Sequence, residues 1–217
     1  VDPPDGRIPF AQSYLDGARS RTLNLRSGYA DTYTDRSLGD RCLMGFNAGP
    51  PMVSSAYNNN VQIFQAPEHV VIYNEMVHNA RIIPLDGSDH AGVPLWTGAS
   101  RGRWEGDTLV VETLHFNDKL DGGDYQPSHL LQTGHRGSGA TLELTERFTL
   151  TDANTIDYQF TVEDPETYTQ PYTVAIPMDR SAPDVVLFEY ACHEGNYGMT
   201  NLLHAGRADE AQALELA

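Results

Sequence analysis

Between residues 61 and 192 the apolar positions fall in short runs of β-branched and aromatic residues, separated by Gly, Pro, Asn, Asp and Ser. Such a pattern marks an antiparallel β meander, because half-buried strands alternate in polarity and turns need residues that tolerate unusual backbone angles. It predicts strands over 61–65, 69–78, 80–85, 101–105, 108–116, 141–150, 155–163, 168–178 and 185–192. Glu105-Gly106-Asp107 reads as a tight hairpin turn and Thr151-Asp152-Ala153-Asn154 as a second one. Hairpin connections without βαβ spacing point to a barrel or a sandwich. Residues 1–60 are rich in Gly, Pro, Asp, Ser and Asn with a weak helical pattern over 10–26, and they read as an irregular arm packed on the β unit of 61–217. Helical spacing is convincing only at the C-terminus, over 208–216.

Alternation also assigns faces. Over 155–163, Ile156, Tyr158, Phe160 and Val162 share a face that should be core, opposite Asp157, Gln159 and Thr161. The preceding run aligns Leu142, Leu144, Glu146 and Phe148, so a carboxylate interrupts an apolar row. Both faces of 69–78 are mixed, with Val70, Ile72, Asn74, Met76 and His78 set against His69, Val71, Tyr73, Glu75 and Val77. In 185–192, Val186, Phe188, Tyr190 and Cys192 stand together.

Composition narrows the classes of partner. The 217 residues suffice for a sizeable core without help from metals or disulfides. Thirty acidic against fourteen basic side chains give a net charge of −16, which repels nucleic acid and anionic membrane surfaces. No apolar run approaches the roughly 20 residues that span a bilayer, so membrane insertion is not expected. The chain opens on Val1-Asp2-Pro3-Pro4 without an initiator Met or an apolar signal core, which reads as a processed or internal start. Cys42 and Cys192 form no C-x-x-C motif, so neither a zinc ribbon nor a thioredoxin-like site is indicated; two free thiols and a disulfide both remain open.

Six strings taken together carry a resemblance: VDPPDGRIP at 1–9, YNNN at 57–60, ARIIPLD at 80–86, SRGRWEGDTLVVET at 100–113, TERF at 145–148 and EYACHEGNYG at 189–198. They resemble a large, functionally uncharacterised family of exported bacterial proteins taken to be lipocalin-like or calycin-like barrels, and the similarity covers most of the chain. The resemblance implies a single antiparallel β-barrel with an irregular N-terminal arm and a short C-terminal helix. Members of that family carry a signal peptide ahead of the first string, which implies an exported protein, periplasmic or extracellular, and favours a disulfide between Cys42 and Cys192. The sequence departs from the family pattern between Phe116 and Thr141, where a longer Gly-rich segment containing His129 and His135 reads as a lid or binding loop.

The resemblance supplies no reaction, so the chemistry must come from residues. Proton transfer needs a group tuned toward neutrality and a partner that stabilises developing charge. The expected constellation is His78 and His193 as proton-transfer groups, Arg81 as anion stabiliser, Glu146 as orienter or acid, and Tyr73 and Tyr190 beside them. Glu146 would be pushed toward its neutral form by burial unless Arg147, Arg103 or another cation reached it; a structural ion pair is the competing expectation. Asn58, Asn59 and Asn60, with His90, Glu194 and His135, are candidate substrate contacts. A second expectation is a divalent metal such as zinc on His78, His90 and His193, although no H-E-x-x-H or H-x-H spacing supports it. There is no G-x-S-x-G elbow, Walker loop or dinucleotide fingerprint, so nucleophilic, nucleotide and nicotinamide chemistry are not indicated.

The leading expectation is therefore an exported enzyme performing cofactor-free elimination, isomerisation, hydration or cyclisation on a small organic molecule in a barrel cavity. Its rival is a non-catalytic calycin-like carrier. What separates them is whether titratable groups converge inside the cavity. An oligomer is compatible with the sequence.

Overall fold

Among the described residues, eight antiparallel strands form in chain order: β1 (Val61–Gln65), β2 (His69–Asn74), β3 (Ala80–Pro84), β4 (Ala99–Glu105), β5 (Thr108–Leu114), β6 (Glu143–Leu150), β7 (Thr155–Glu163) and β8 (Tyr172–Asp179). A C-terminal helix, α1 (Tyr197–Glu215), follows them. The computed structural model describes residues 2–16, 32–36, 38–45, 47–55, 57–90, 92–117 and 139–216. His129, His135 and most of the Gly-rich segment lie outside these residues.

Each strand pairs with its sequence neighbour, but the meander is cut once. Strands β1-β2-β3 form one sheet and β4-β5-β6-β7-β8 another, so among the described residues the closed barrel expected from the family likeness is not formed. The cut falls between β3 and β4, which touch through side chains. At that seam Gly102 permits the approach: a Cβ there would stand 2.8 Å from both Ile83 Cγ2 and Leu85 Cδ2. The ladder that would join β1 to β8 is also absent, and those two edges remain apart.

The inner faces follow the alternation. Leu144, Phe148, Tyr158, Phe160 and Val162 are buried in one cluster with Val70, Ile72 and Ile83 from the smaller sheet. Register places Val111, Glu146, Phe160 and Val174 in one row across β5 to β8. On the outer face Arg103 bridges Glu112 at 2.6 Å and Glu105 at 2.9 Å, and Arg147 reaches Glu105 at 3.0 Å. These salt bridges stand on the face of Val110, which is fully buried although it points away from the core.

The arm is integral rather than accessory, since Leu38, Met44 and Met52 belong to the main core. Near the N-terminus, Asp2 bridges Thr173 and Phe10 bridges Tyr168, tying the chain start to β8 and the turn before it. Residues 12–16 are helical, within the weak pattern noted over 10–26.

Three expectations about elements are corrected. Residues 185–192 are not a strand: they run without regular structure, and Phe188 is 76% exposed. High β propensity does not make a strand without a neighbouring edge to pair with. The 69–78 run ends at Asn74 and turns into a single 3₁₀ turn over Met76–His78, in which Val77 and His78 take positive φ of 57° and 42°. Helix α1 begins eleven residues before 208, because Asn196 caps it by accepting the Met199 N–H at 3.3 Å. The Gly198 and Gly206 positions hide that first half from a propensity reading.

Cys42 and Cys192 are joined by a disulfide that closes 150 residues of sequence separation. It fastens the irregular 185–196 segment to the 38–48 loop, and Asn196 Nδ2 adds a bond to the Asp40 carbonyl at 2.9 Å. A disulfide points to an oxidising compartment. No helix among the described residues is long and apolar enough to cross a membrane.

Candidate functional site

Of the polar residues singled out by pattern, Arg81 and Glu146 do meet, from facing sheets. Arg81 alternates inward beside Ile83 on β3, and Glu146 inward between Leu144 and Phe148 on β6. The guanidinium forms a two-pronged pair with the carboxylate, Nη1 to Oε2 and Nη2 to Oε1, the latter at 3.0 Å. Tyr158 donates its hydroxyl to Glu146 Oε1 at 2.8 Å and accepts the Met52 N–H at 3.0 Å. Exposure is 6% for Arg81 and 0% for Glu146 and Tyr158. The cation that reaches Glu146 is thus Arg81; Arg103 and Arg147 alternate to the outer face and pair there with Glu105 and Glu112.

Burial alone would drive the Arg81 guanidinium toward its neutral form, but the charge and hydrogen bond of Glu146 outweigh it and its pKa is raised. Burial, and then the Glu146 charge, push the Tyr158 hydroxyl well above its ordinary value. Every oxygen of the carboxylate is held, and the quartet of Arg81, Glu146, Tyr158 and the Met52 backbone is closed to solvent. Its chemical consequence is positional: it anchors the backbone at Met52.

Met52 stands on the wall of a cleft of about 980 Å³. The cleft occupies the gap where β1 and β8 fail to meet. One side is the 52–60 loop with the β1 edge; the other is the 150–156 turn, the end of β8 and the 180–187 segment. Asn47 Nδ2 gathers the loop by bonding the Tyr57 carbonyl at 3.1 Å, the Asn58 carbonyl and Asn59 Oδ1 at 2.9 Å each, and Ser55 Oγ at 3.1 Å. Asn59 closes the loop on itself through Ser55, and Asn60 Nδ2 bonds Glu75 Oε2 at 2.8 Å. Asn58 adopts a positive φ of 53°, a conformation asparagine tolerates well.

Asn58, Asn59 and Asn60, candidate substrate contacts from sequence, line the cleft wall. The other candidates are elsewhere. Tyr73 alternates to the outer face of β2, opposite Ile72 and Asn74. His78 and Tyr190 come together: the Tyr190 carbonyl accepts the His78 Nδ1–H at 2.8 Å, beside the disulfide. Burial, with Tyr57 as neighbour, raises the Tyr190 hydroxyl. His193 and Glu194 are exposed in the turn before α1. His90 donates from Nε2 to the Glu112 carbonyl at 3.1 Å and packs edge-on to His115 at 6.4 Å between centroids. Among the described residues no three His, Cys, Asp or Glu side chains stand close enough to hold a metal ion, so His78, His90 and His193 do not form the ligand set considered from sequence.

Of the singled-out candidates only Asn58, Asn59 and Asn60 line the cleft; the missed lining includes Asn47, Met52 and Asn74. Asn74 did leave a signal, as the polar residue in a row with Val70 and Ile72. Asn47 lies in the irregular arm, where no periodicity marks a face. No protein-family model, curated protein or solved structure matches this chain.

Proposed function

We propose that this protein binds a small organic molecule reversibly in the cleft between β1 and β8 and does not transform it. The observation that carries the reading is the composition of the wall. Among the described residues it contains no His, Glu, Tyr, Cys or Lys, and its only charged side chains are Asp179 and Arg180. General acid–base catalysis needs a positioned group that exchanges protons with the substrate, and the carboxylate on this wall, Asp179, is exposed and accepts the Thr155 hydroxyl. A volume of about 980 Å³ with apolar and amide lining is instead what a binding site requires. The Arg81–Glu146 pair, the strongest acid–base candidate from sequence, does not line the cleft and is already neutralised within the core. An incomplete, calycin-like meander with its ligand at the open seam fits the carrier reading. The disulfide and the family likeness support an exported protein.

The test is equilibrium dialysis of the purified protein against a mixture of small organic molecules, with recovery of whatever is retained. The retained molecule is expected back unchanged. Ile176→Trp, which fills the cleft from β8, should abolish retention without lowering Tm, and His78→Ala should leave it intact. Conversion of the retained molecule that disappears in His78→Ala would overturn the carrier in favour of the enzyme.

A second reading has one specific observation behind it. The His78 ring is oriented by the Tyr190 carbonyl, which leaves Nε2 without a proton in the neutral ring, and Val77 and His78 are held in left-handed backbone that costs energy for a β-branched residue. This strained turn is the observation that favours proton transfer by His78 over a carrier.

A further inference from the structure

The cleft carries information about the chemistry of its occupant. Two amides in its wall are more than nine-tenths buried and incompletely partnered. Asn47, 7% exposed, spends its Nδ2 on the loop while its Oδ1 has no donor. Asn74, 4% exposed at the inner end of β2, makes no side-chain hydrogen bond among the described residues. Buried amides are ordinarily satisfied, because leaving one unpaired forfeits the hydration it had in the unfolded chain. An amide presents both acceptor and donor, so the group that completes Asn74 must offer both, as a hydroxyl does; Asn47 Oδ1 calls for a donor alone.

The rest of the wall limits what that group is attached to. Ile63 on one side and Ile156, Ile176 and Met178 on the other supply apolar surface, which suits a hydrocarbon or ring body. The two charged residues are adjacent, opposite in sign and exposed at the rim. Asp179 Oδ1 already accepts the Thr155 hydroxyl at 3.1 Å. The charges of Asp179 and Arg180 sum to zero, so the wall as a whole presents no net charge to an ionic headgroup, and the net charge of −16 further disfavours an anion.

We infer that the occupant is an uncharged, hydroxylated amphiphile, its hydroxyl-bearing end at Asn74 and Asn47 and its apolar body along Ile63, Ile156, Ile176 and Met178. This rests on the binding reading given above and adds to it the class of ligand. The test compares three probes of equal chain length by isothermal titration below their micelle-forming concentrations: n-octyl-β-D-glucoside, octanoate and octylammonium. The glucoside should bind at least about tenfold more tightly than either ion, and Asn74→Leu, with its fold verified by circular dichroism, should lower the glucoside affinity by about tenfold, the loss of one hydrogen-bonded group. Equal binding of all three probes, tighter binding of either ion, or indifference of the glucoside to Asn74→Leu overturns the ligand class while leaving a binding cleft in place. Should no probe bind at millimolar concentration, the ligand class and the binding reading fall together. The probe comparison needs no variant, so it decides the matter even where Asn74→Leu fails to fold.

Discussion

Replacing Glu146 by Gln tests the most consequential interaction in the core. The substitution keeps the size and an oxygen for the Tyr158 hydroxyl, but it removes the negative charge and turns an NH₂ toward the Arg81 guanidinium. Arg81 is then a buried cation, 6% exposed, facing a neutral group. Breaking a buried pair by removing one partner costs about 3–5 kcal/mol, since the remaining charge has lost its compensation. At about 2–4 °C per kcal/mol for a chain of this size, Tm should fall by roughly 10 °C. Replacing both ends with apolar residues, Arg81→Met with Glu146→Leu, removes the buried charge altogether and should be far milder than the single change. Urea unfolding followed by circular dichroism on wild type, both singles and the double gives the coupling directly. A Glu146→Gln cost under about 1 kcal/mol, or a double substitution as damaging as the single, would refute the assignment of this pair as a structural unit. Ligand retention per folded molecule should be unchanged, apart from any loosening at Met52 passed on through Tyr158.

Two further outcomes follow from the same structure. Reducing the Cys42–Cys192 bridge should lower stability by about 4–5 kcal/mol on the loop-entropy model, given the long loop it closes; mass spectrometry after alkylation should find no free thiol before reduction, and two freely alkylated cysteines in the unreduced denatured protein would contradict the bridge. Burial raises the pKa of Tyr158 and Tyr172, so each hydroxyl stays protonated in the fold while the unfolded chain ionises near pH 10. Between pH 10 and those raised values the unfolded state binds fewer protons, and stability must fall as pH rises; Tyr158→Phe, less stable at neutral pH, should show a shallower alkaline decline in urea unfolding.

Local pattern determined a good deal. Runs of alternating apolar and polar residues set β1 and β7 to the residue and located six of the other strands within a few positions, because side-chain alternation follows from strand geometry alone. The same alternation exposed Glu146 as a carboxylate on a core face, and it put Ile156, Tyr158, Phe160 and Val162 on one side. What it could not decide was pairing at a distance. Glu146 needed a cation, and its neighbours in sequence, Arg147 foremost, point to the opposite face; Arg81, 65 residues away, is brought to it only by the packing of two sheets. Val186 and Phe188 have strand propensity, yet their segment joins no ladder: it leaves the sheet after Asp179 and is fastened by the Cys42–Cys192 bridge instead. The cleft was illegible for the same reason. Asn47 and Ile176 are unremarkable in their own segments and Asn74 shows only as a polar residue in an apolar row; they share a wall because the β1 and β8 edges do not pair, a property of how the sheets pack that no window of sequence contains.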